Sequence, residues 1–447
     1  MATSAKIGAD DLAGVSPNLD PRQKTPPKGV IKAGLLQTLG PGLVTGASDD
    51  DPSGIATYSQ VGAQFGFGML WVMLFSYPLM CGIQEISGQI GRVTGRGIAG
   101  NLRRHYPRPL LYGIVLLVLV ANIINLGADI GAMGAAVKLL VGGPALLFAA
   151  LFAALSVGLE VLLPYDRYAK VLKWLCVALF AYVATVFVVH VPWGTALKAT
   201  VVPHISLGAA FVTSIVAVLG TTISPYLFFW QAEEEVEIER ASPNEVPLKR
   251  DPKAAPTHLH RIRVDTYTGM AFSNLVAFFI IITAAATLHA HGITDIQTST
   301  QAAAALRPLA GKFAFLLFAL GIIGTGLLAL PVLAGSAAYA VGEALAWRVG
   351  LNNKPQKARG FYGIIAAAIL LGLGLNLVHL DPIKALFWSA VINGVVAVPI
   401  MALMMLLGQN GKVMGEFTLN TRQKVLGRLG TGVMLAAAVG LFATWGK

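Results

Sequence analysis

Of the chain's 447 residues, 55% are hydrophobic and only 12% are charged, and its mean hydropathy is +0.68; soluble domains run at about 45–50% apolar and 25% charged. That excludes a water-soluble body, so length counts membrane crossings rather than soluble domains. The net charge of +11 is scattered over short loops without a clustered groove or interleaved aromatics, which argues against nucleic acid. The two cysteines, Cys81 and Cys176, both sit inside apolar runs and offer neither a disulfide framework nor a thiolate metal site.

In chain order, residues 1–33 are polar and Pro-rich, with no apolar stretch ahead of a small-residue cleavage site; they read as a disordered cytoplasmic tail without a secretory signal. A bilayer core about 30 Å thick needs about 20 apolar residues per helix. Apolar runs between charged or Pro/Gly-rich breaks predict eleven spans, near 36–62, 67–90, 110–137, 143–163, 169–190, 208–231, 266–288, 313–346, 359–378, 384–408 and 429–446. The longest link, 232–264, opens on Glu233, Glu234, Glu235, Glu237 and Glu239 and runs through four prolines, as a solvated cytoplasmic loop does. With the N-terminus inside, 27 of the 33 Lys and Arg fall on the cytoplasmic side. The positive-inside rule then gives a multi-pass protein of the inner (plasma) membrane with its N-terminus cytoplasmic and its C-terminus outside.

The first span contains Asp49-Asp50-Asp51-Pro52-Ser53-Gly54. Carboxylates at membrane depth cost about 2.5–3.5 kcal/mol each and are rare without a function. Pro52 removes a backbone donor and Gly54 loosens the next turn, so the helix is expected to break here. In the sixth span, 173 residues on, Gly220-Thr221-Thr222-Ile223-Ser224-Pro225-Tyr226 repeats the pattern. Pro225 alone could be a simple kink. Broken helices at corresponding places in two halves point instead to a midplane site in an inverted-repeat carrier. The expected architecture is all-α, with spans one to five (34–191) and six to ten (206–408) as five-plus-five LeuT-type repeats. Residues 409–447 append the eleventh span.

Asp51, beside the proline, is the first candidate ligand; Asp49 and Asp50 could instead face an aqueous vestibule. Glu85, Glu160 and Glu343 read equally as gates or as paired helix ends. Asn393 and Asn274 are site residues or interhelical hydrogen bonds, and Gln231 is an interfacial cap. No P-loop, dinucleotide fingerprint or nucleophile elbow is present, so an enzyme or ATP-driven pump is not expected. A magnesium-dependent prenyltransferase would want two separated Asp clusters, and the chain has one.

The stretch Gly40-Pro41-Gly42-Leu43 followed by Asp51-Pro52-Ser53-Gly54 resembles the Nramp divalent metal transporters. Thr94-Gly95-Arg96-Gly97, Tyr106-Pro107-Arg108-Pro109, Ala128-Asp129 and Asp265-Thr266 extend the likeness over about residues 34–445. The resemblance implies a divalent metal as substrate, the lipid bilayer as surroundings, and no cofactor or obligatory protein partner. Carried onto this sequence, its metal site comprises Asp51, Gly54, Thr221 and Ser224 with carbonyls around 48 and 221; Tyr226 and Asn393 stand nearby.

Where the family carries a Met at the sixth-helix break this chain has Ser224, where it carries an Asn in the first-helix motif it has Gly54, and where it carries a His after the second proline it has Tyr226. An oxygen-only site disfavours soft cations and suits Mg2+, with Mn2+ second. Of the family's proton route only Asp129 remains, flanked by Asn122 and Ala132, which implies weak or absent proton coupling. The rival readings are a proton-coupled Mn2+/Fe2+ transporter and an organic-cation or amino-acid carrier of the same fold.

Overall fold

The computed structural model describes residues 46, 49–162, 175–242, 244–351, 353–378 and 381–445. The expected tail at 1–33, the Gly40-Pro41-Gly42-Leu43 motif, Ser48, the Cys176 side chain and parts of the expected first and fifth spans lie outside these residues. Among the described residues every regular element is a helix. The main ones are α1 (Pro52–Phe65), α2 (Leu70–Thr94), α3 (Ile98–His105), α4 (Arg108–Val141), α5 (Ala145–Leu162), α6 (Phe180–Val188) and α7 (Ala209–Thr222). They continue as α8 (Pro225–Ala241), α9 (Ala255–Thr287), α10 (Ala314–Ala344), α11 (Arg359–Leu375), α12 (Pro382–Gln409) and α13 (Thr421–Thr444).

Nine stretches among the described residues are long and apolar enough to cross a membrane. One of them, Pro52–Thr94, holds both the second half of the expected first span and the whole second span, joined by a 3-10 turn at Gly66–Met69. The expected fifth span is represented by the shorter apolar helix Val177–Val188. Leu116, Leu151, Phe187, Leu370 and Phe442 are exposed on the outside of the bundle, as side chains facing lipid are. The chain is a multi-pass membrane protein.

Local signals fix several ends. Gly95 stops α2 in the left-handed region at φ 64°, which an L side chain would resist. Asp381 caps α12 by accepting from Ile383 N and Lys384 N, with Pro382 following. In the core α4 packs on α10, α1 lies between α9 and α12, and α8 lies against α2. The contact of α7 with α12 is backbone to backbone: a Cβ on Gly220 would run into Ala390 O and stand 2.8 Å from Gly394 Cα. Small residues permit such approaches where lipid supplies no drive for burial.

The 232–264 region corrects one expectation. It is not a solvated loop throughout: α8 continues through the acidic run to Ala241, and Glu233, Glu235 and Glu239 are buried. Arg261 pairs with Glu235, and the buried Arg92 pairs with Glu245 just beyond the helix; a helix breaker enters the sequence only at Pro243. The next helix begins at Ala255 rather than near 266, so Asp265 and Thr266 lie buried inside α9. Gln231, expected as an interfacial cap, is buried within α8.

Candidate functional site

Gly46 and Asp49 are helical, Asp50 is a bend, and Asp51 leaves the helix with φ −67° and ψ 171°. A new helix, α1, restarts at Pro52. The restart is legible in the residues: Asp is a strong N-cap, and Pro at the first helical position loses nothing by lacking an N–H. Asp51 Oδ1 accepts from Gly54 N at 2.8 Å and from Ser53 Oγ at 2.6 Å. The second break has the same form, with α7 ending at Thr222, Ile223 and Ser224 non-helical, and Pro225 opening α8. Ser224 Oγ donates to Thr221 O at 2.8 Å, with Gly220 O at 3.0 Å as second acceptor, and so takes up carbonyls left over at the end of α7.

The two breaks meet. Tyr226 OH donates to Asp51 Oδ2 at 3.3 Å. A Cβ on Gly54 would stand 3.2 Å from Thr221 Oγ1 and 3.3 Å from the Tyr58 ring. From α4, Asn125 Nδ2 donates to Asp51 Oδ2 at 2.9 Å and lies 3.5 Å from Asp129 Oδ2. Asp51 thus accepts from four donors, while Ser273 of α9 bridges Asp49 Oδ2 at 2.6 Å and Asp50 Oδ1 at 3.1 Å.

All four aspartates are buried. Among the described residues, Asp49 Oδ1, Asp50 Oδ2, Asp129 Oδ1, Asn125 Oδ1 and both amide atoms of Asn393 have no hydrogen-bond partner. Each such buried group costs about 1–3 kcal/mol, an expense that clusters at functional sites. Among the described residues no group of three or more His, Cys, Asp or Glu is arranged to hold a metal ion. A cation at the breaks would therefore draw on hydroxyl, amide and carbonyl oxygens beside Asp51.

Of the residues singled out in the sequence, Asp51, Gly54, Thr221 and Tyr226 come together across the breaks. Ser224 lies on the second break with its hydroxyl turned to carbonyls of its own turn. Asn125 lies between Asp129 and Asp51, and Asn393 is buried in α12. Asp49 and Asp50 are buried, with the Ser273 hydroxyl between them.

Sequence reasoning misses Asn125 and Ser273. Asn125 had a signal, lying four residues before Asp129 and hence on the same helix face; a lone Ser in an apolar helix gives none. Other polar residues have partners of their own. Asn274 donates to Met73 O and Asn122 to Leu333 O and Ser336 Oγ. Glu85 pairs with Arg263, Glu160 accepts from Ser156, and Glu343 accepts from Gly97 N and Gly100 N at the start of α3.

A helical bundle in which two interrupted membrane helices bring their breaks together around buried carboxylates is a multi-pass protein of the LeuT-like class. Residues 42–444 match the family model described as natural resistance-associated macrophage protein-like, Nramp, and the chain belongs to that family. It is 26% identical over 418 residues to the divalent metal cation transporter MntH of Aeromonas hydrophila, covering 91% of this chain and 95% of that one. To the protein of the same name in Klebsiella pneumoniae it is 27% identical over 394 residues, covering 87% and 89%.

Among solved structures, the manganese transporter of Eremococcus coleocola, in complex with an aromatic bis-isothiourea substituted compound, superposes with a TM-score of 0.70 at 17% identity, covering 92% of this chain and 87% of that one. MhsT in complex with L-phenylalanine superposes at 0.58 and 14% identity, covering 91% and 99%. These likenesses carry the fold alone.

Proposed function

We propose that this protein is a secondary carrier or facilitator that imports a divalent metal cation by alternating access, with Mg2+ the preferred substrate and Mn2+ the next. The divalent cation follows from family membership and from the relatives' activity. The observation that carries the preference is chemical: among the described residues, the side chains that bond Asp51, and those along the second break, include no thioether and no imidazole. Asp51, Thr221, Ser224 and Tyr226 offer oxygen, and Gly54 offers room where a larger side chain would press on Thr221. Mg2+ holds its waters tightly and takes one or two carboxylates in a roomy cavity, while the absence of a soft donor disfavours Cd2+ and Cu+.

In this reading Asp51 is the principal ligand, backbone carbonyls of the breaks assist, and Asn393 and the Asp49–Asp50 pair form the surroundings. Asp129 is the sole acidic group of a proton route whose other positions hold Tyr226, Asn122 and Ala132, so coupling is weak or absent and the membrane potential drives uptake. The same reading has eleven spans in five-plus-five inverted repeats, the N-terminus in the cytoplasm and the C-terminus outside.

The test is uptake into liposomes by the purified protein, with internal indicators for Mg2+ and Mn2+ beside a pH probe, for the wild type and Asp51→Ala. Magnesium entry without acidification, lost in the variant, supports the reading. Manganese entry accompanied by protons favours the coupled Mn2+/Fe2+ transporter, and no metal flux at all favours an organic-substrate carrier of this fold.

A further inference from the structure

Three links far apart in sequence converge at one end of the bundle. The α2–α3 link and α3 contribute Arg96, Arg104 and His105; the α8–α9 link contributes Lys249 and Arg250; the α12–α13 link contributes Lys412. These six basic residues line a cavity of about 250 Å³ whose wall contains no carboxylate. A neighbouring cavity of about 560 Å³ shares Arg96 and Arg104 and adds Arg103 and Arg240; Glu343 lines it too, its carboxylate accepting from Gly97 N and Gly100 N.

The walls are fixed. Leu248 N donates to Arg92 O and Lys249 N to Val93 O, each at 3.2 Å, while the Arg92–Glu245 ion pair clamps the start of the same link. Lys249 Nζ donates to Lys412 O at 2.8 Å, joining the second and third links. Asn101 Nδ2 donates to Thr94 Oγ1, Arg96 O and Gly97 O, which sets the turn that carries Arg96.

The positive-inside rule accounts for basic residues on these links. Scattered placement would satisfy it equally well, and it does not require six of them to converge on one cavity. Convergence is unfavourable without a counter-charge: partial burial, then the neighbouring Arg104, Arg250 and Arg103, hold the Arg96 guanidinium below its ordinary pKa, with Glu343 offsetting part of the effect. None of the six is in an ion pair with a carboxylate among the described residues. Guanidinium forks match phosphate oxygens in pairs, and basic pockets between the ends of membrane helices suit phosphate headgroups.

We infer that this double basic cleft binds a polyanion carrying two phosphate groups, one seated between Arg96, Arg104, Lys249 and Arg250 and the other between Arg103 and Arg240. The ligand is either a soluble diphosphate or the headgroup of a diphosphatidyl lipid. By bridging α3 to the α8–α9 link, it ties together segments from the two halves of the chain.

The test uses the full-length protein in zwitterionic nanodiscs, with inorganic pyrophosphate as one probe and nanodiscs doped with diphosphatidylglycerol as the other; binding and melting temperature are the readouts, so the outcome is independent of which cation is carried. Saturable binding of pyrophosphate with a raised melting temperature identifies the soluble source. Stabilisation by the doped lipid alone identifies the membrane source. Either supports the inference if Arg96→Gln with Arg104→Gln weakens it by about tenfold or more, while Arg359→Gln with Lys424→Gln, basic residues outside the cleft, leaves it intact. Should the first pair lower the melting temperature without any probe, Arg250→Gln with Lys412→Gln takes its place, since among the described residues neither side chain makes a hydrogen bond that holds a link. Absence of saturable binding by both probes, or equal weakening in the cleft and control variants, overturns the inference.

Discussion

Ser273 holds its hydroxyl 2.6 Å from Asp49 Oδ2, and this contact sorts three consecutive aspartates into two roles. Asp49 and Asp50 turn toward α9 and share that one hydroxyl. Asp51, one residue on, turns toward α4 and the second break, where Asn125 and Tyr226 meet it. The unwound backbone makes the separation possible, because in a continuous helix successive side chains are about 100° apart and could not be aimed independently.

Ser273→Ala removes the hydroxyl bridging Asp49 and Asp50 and leaves more buried oxygen without a donor. The expected cost is about 1–3 kcal/mol, read as a lower melting temperature of the purified protein. Cation uptake through Asp51 should persist. A variant as stable as the wild type would mean that Ser273 contributes nothing to holding the acidic pair.

Asn125→Ala takes away one of the four donors to Asp51 and the bridge to Asp129. Uptake in liposomes should fall by roughly tenfold, the scale on which loss of an outer-shell partner weakens a metal site, whereas Asp51→Ala should abolish it. Unchanged uptake in Asn125→Ala would show that Asp51 needs no orientation from α4.

The breaks and the crossing helices were legible because each rests on local chemistry: a proline after a carboxylate or hydroxyl, and a long apolar run. The choice of Asp51 over its neighbours rests on the proline register that the Nramp resemblance supplies. The path of α8 was not legible. Glu233, Glu235 and Glu239 look solvated when read alone, and only the arrival of Arg261 on a separate helix explains the burial of Glu235. Ser273 was hidden for the same reason, since its role depends on where α9 lies and not on its own sequence neighbours. Where a side chain's meaning comes from a partner more than 200 residues away, as with Ser273 and Asp49, one-dimensional pattern has little to say.

Gly220→Ala places a methyl group against the Ala390 carbonyl and Gly394 where α7 crosses α12. Backbone cannot yield as a flexible side chain does, so overpacking here should cost about 1–3 kcal/mol and shift the second break. Gly363→Ala, with nothing within 4 Å of the added carbon, is the matched control and should melt with the wild type. Equal melting of both variants would mean that the contact of α7 with α12 is looser than the geometry requires.

Ser224→Met bears most directly on the substrate. The serine hydroxyl now donates to the Thr221 and Gly220 carbonyls; a thioether cannot donate, so the variant frees those oxygens and adds a soft sulfur at the second break. Softness then predicts that Cd2+ and Mn2+ gain on Mg2+. The ratio of Cd2+ to Mg2+ uptake in liposomes should rise by about tenfold or more if sulfur reaches the ion. The Thr221→Ala variant separates this from a general opening of the site, because removing a hydroxyl without adding sulfur should lower uptake of all three ions together. A Ser224→Met protein that folds, carries Mg2+ as before and still refuses Cd2+ would remove Ser224 from the cation's path and leave the oxygen-only argument resting on Asp51 and Thr221 alone.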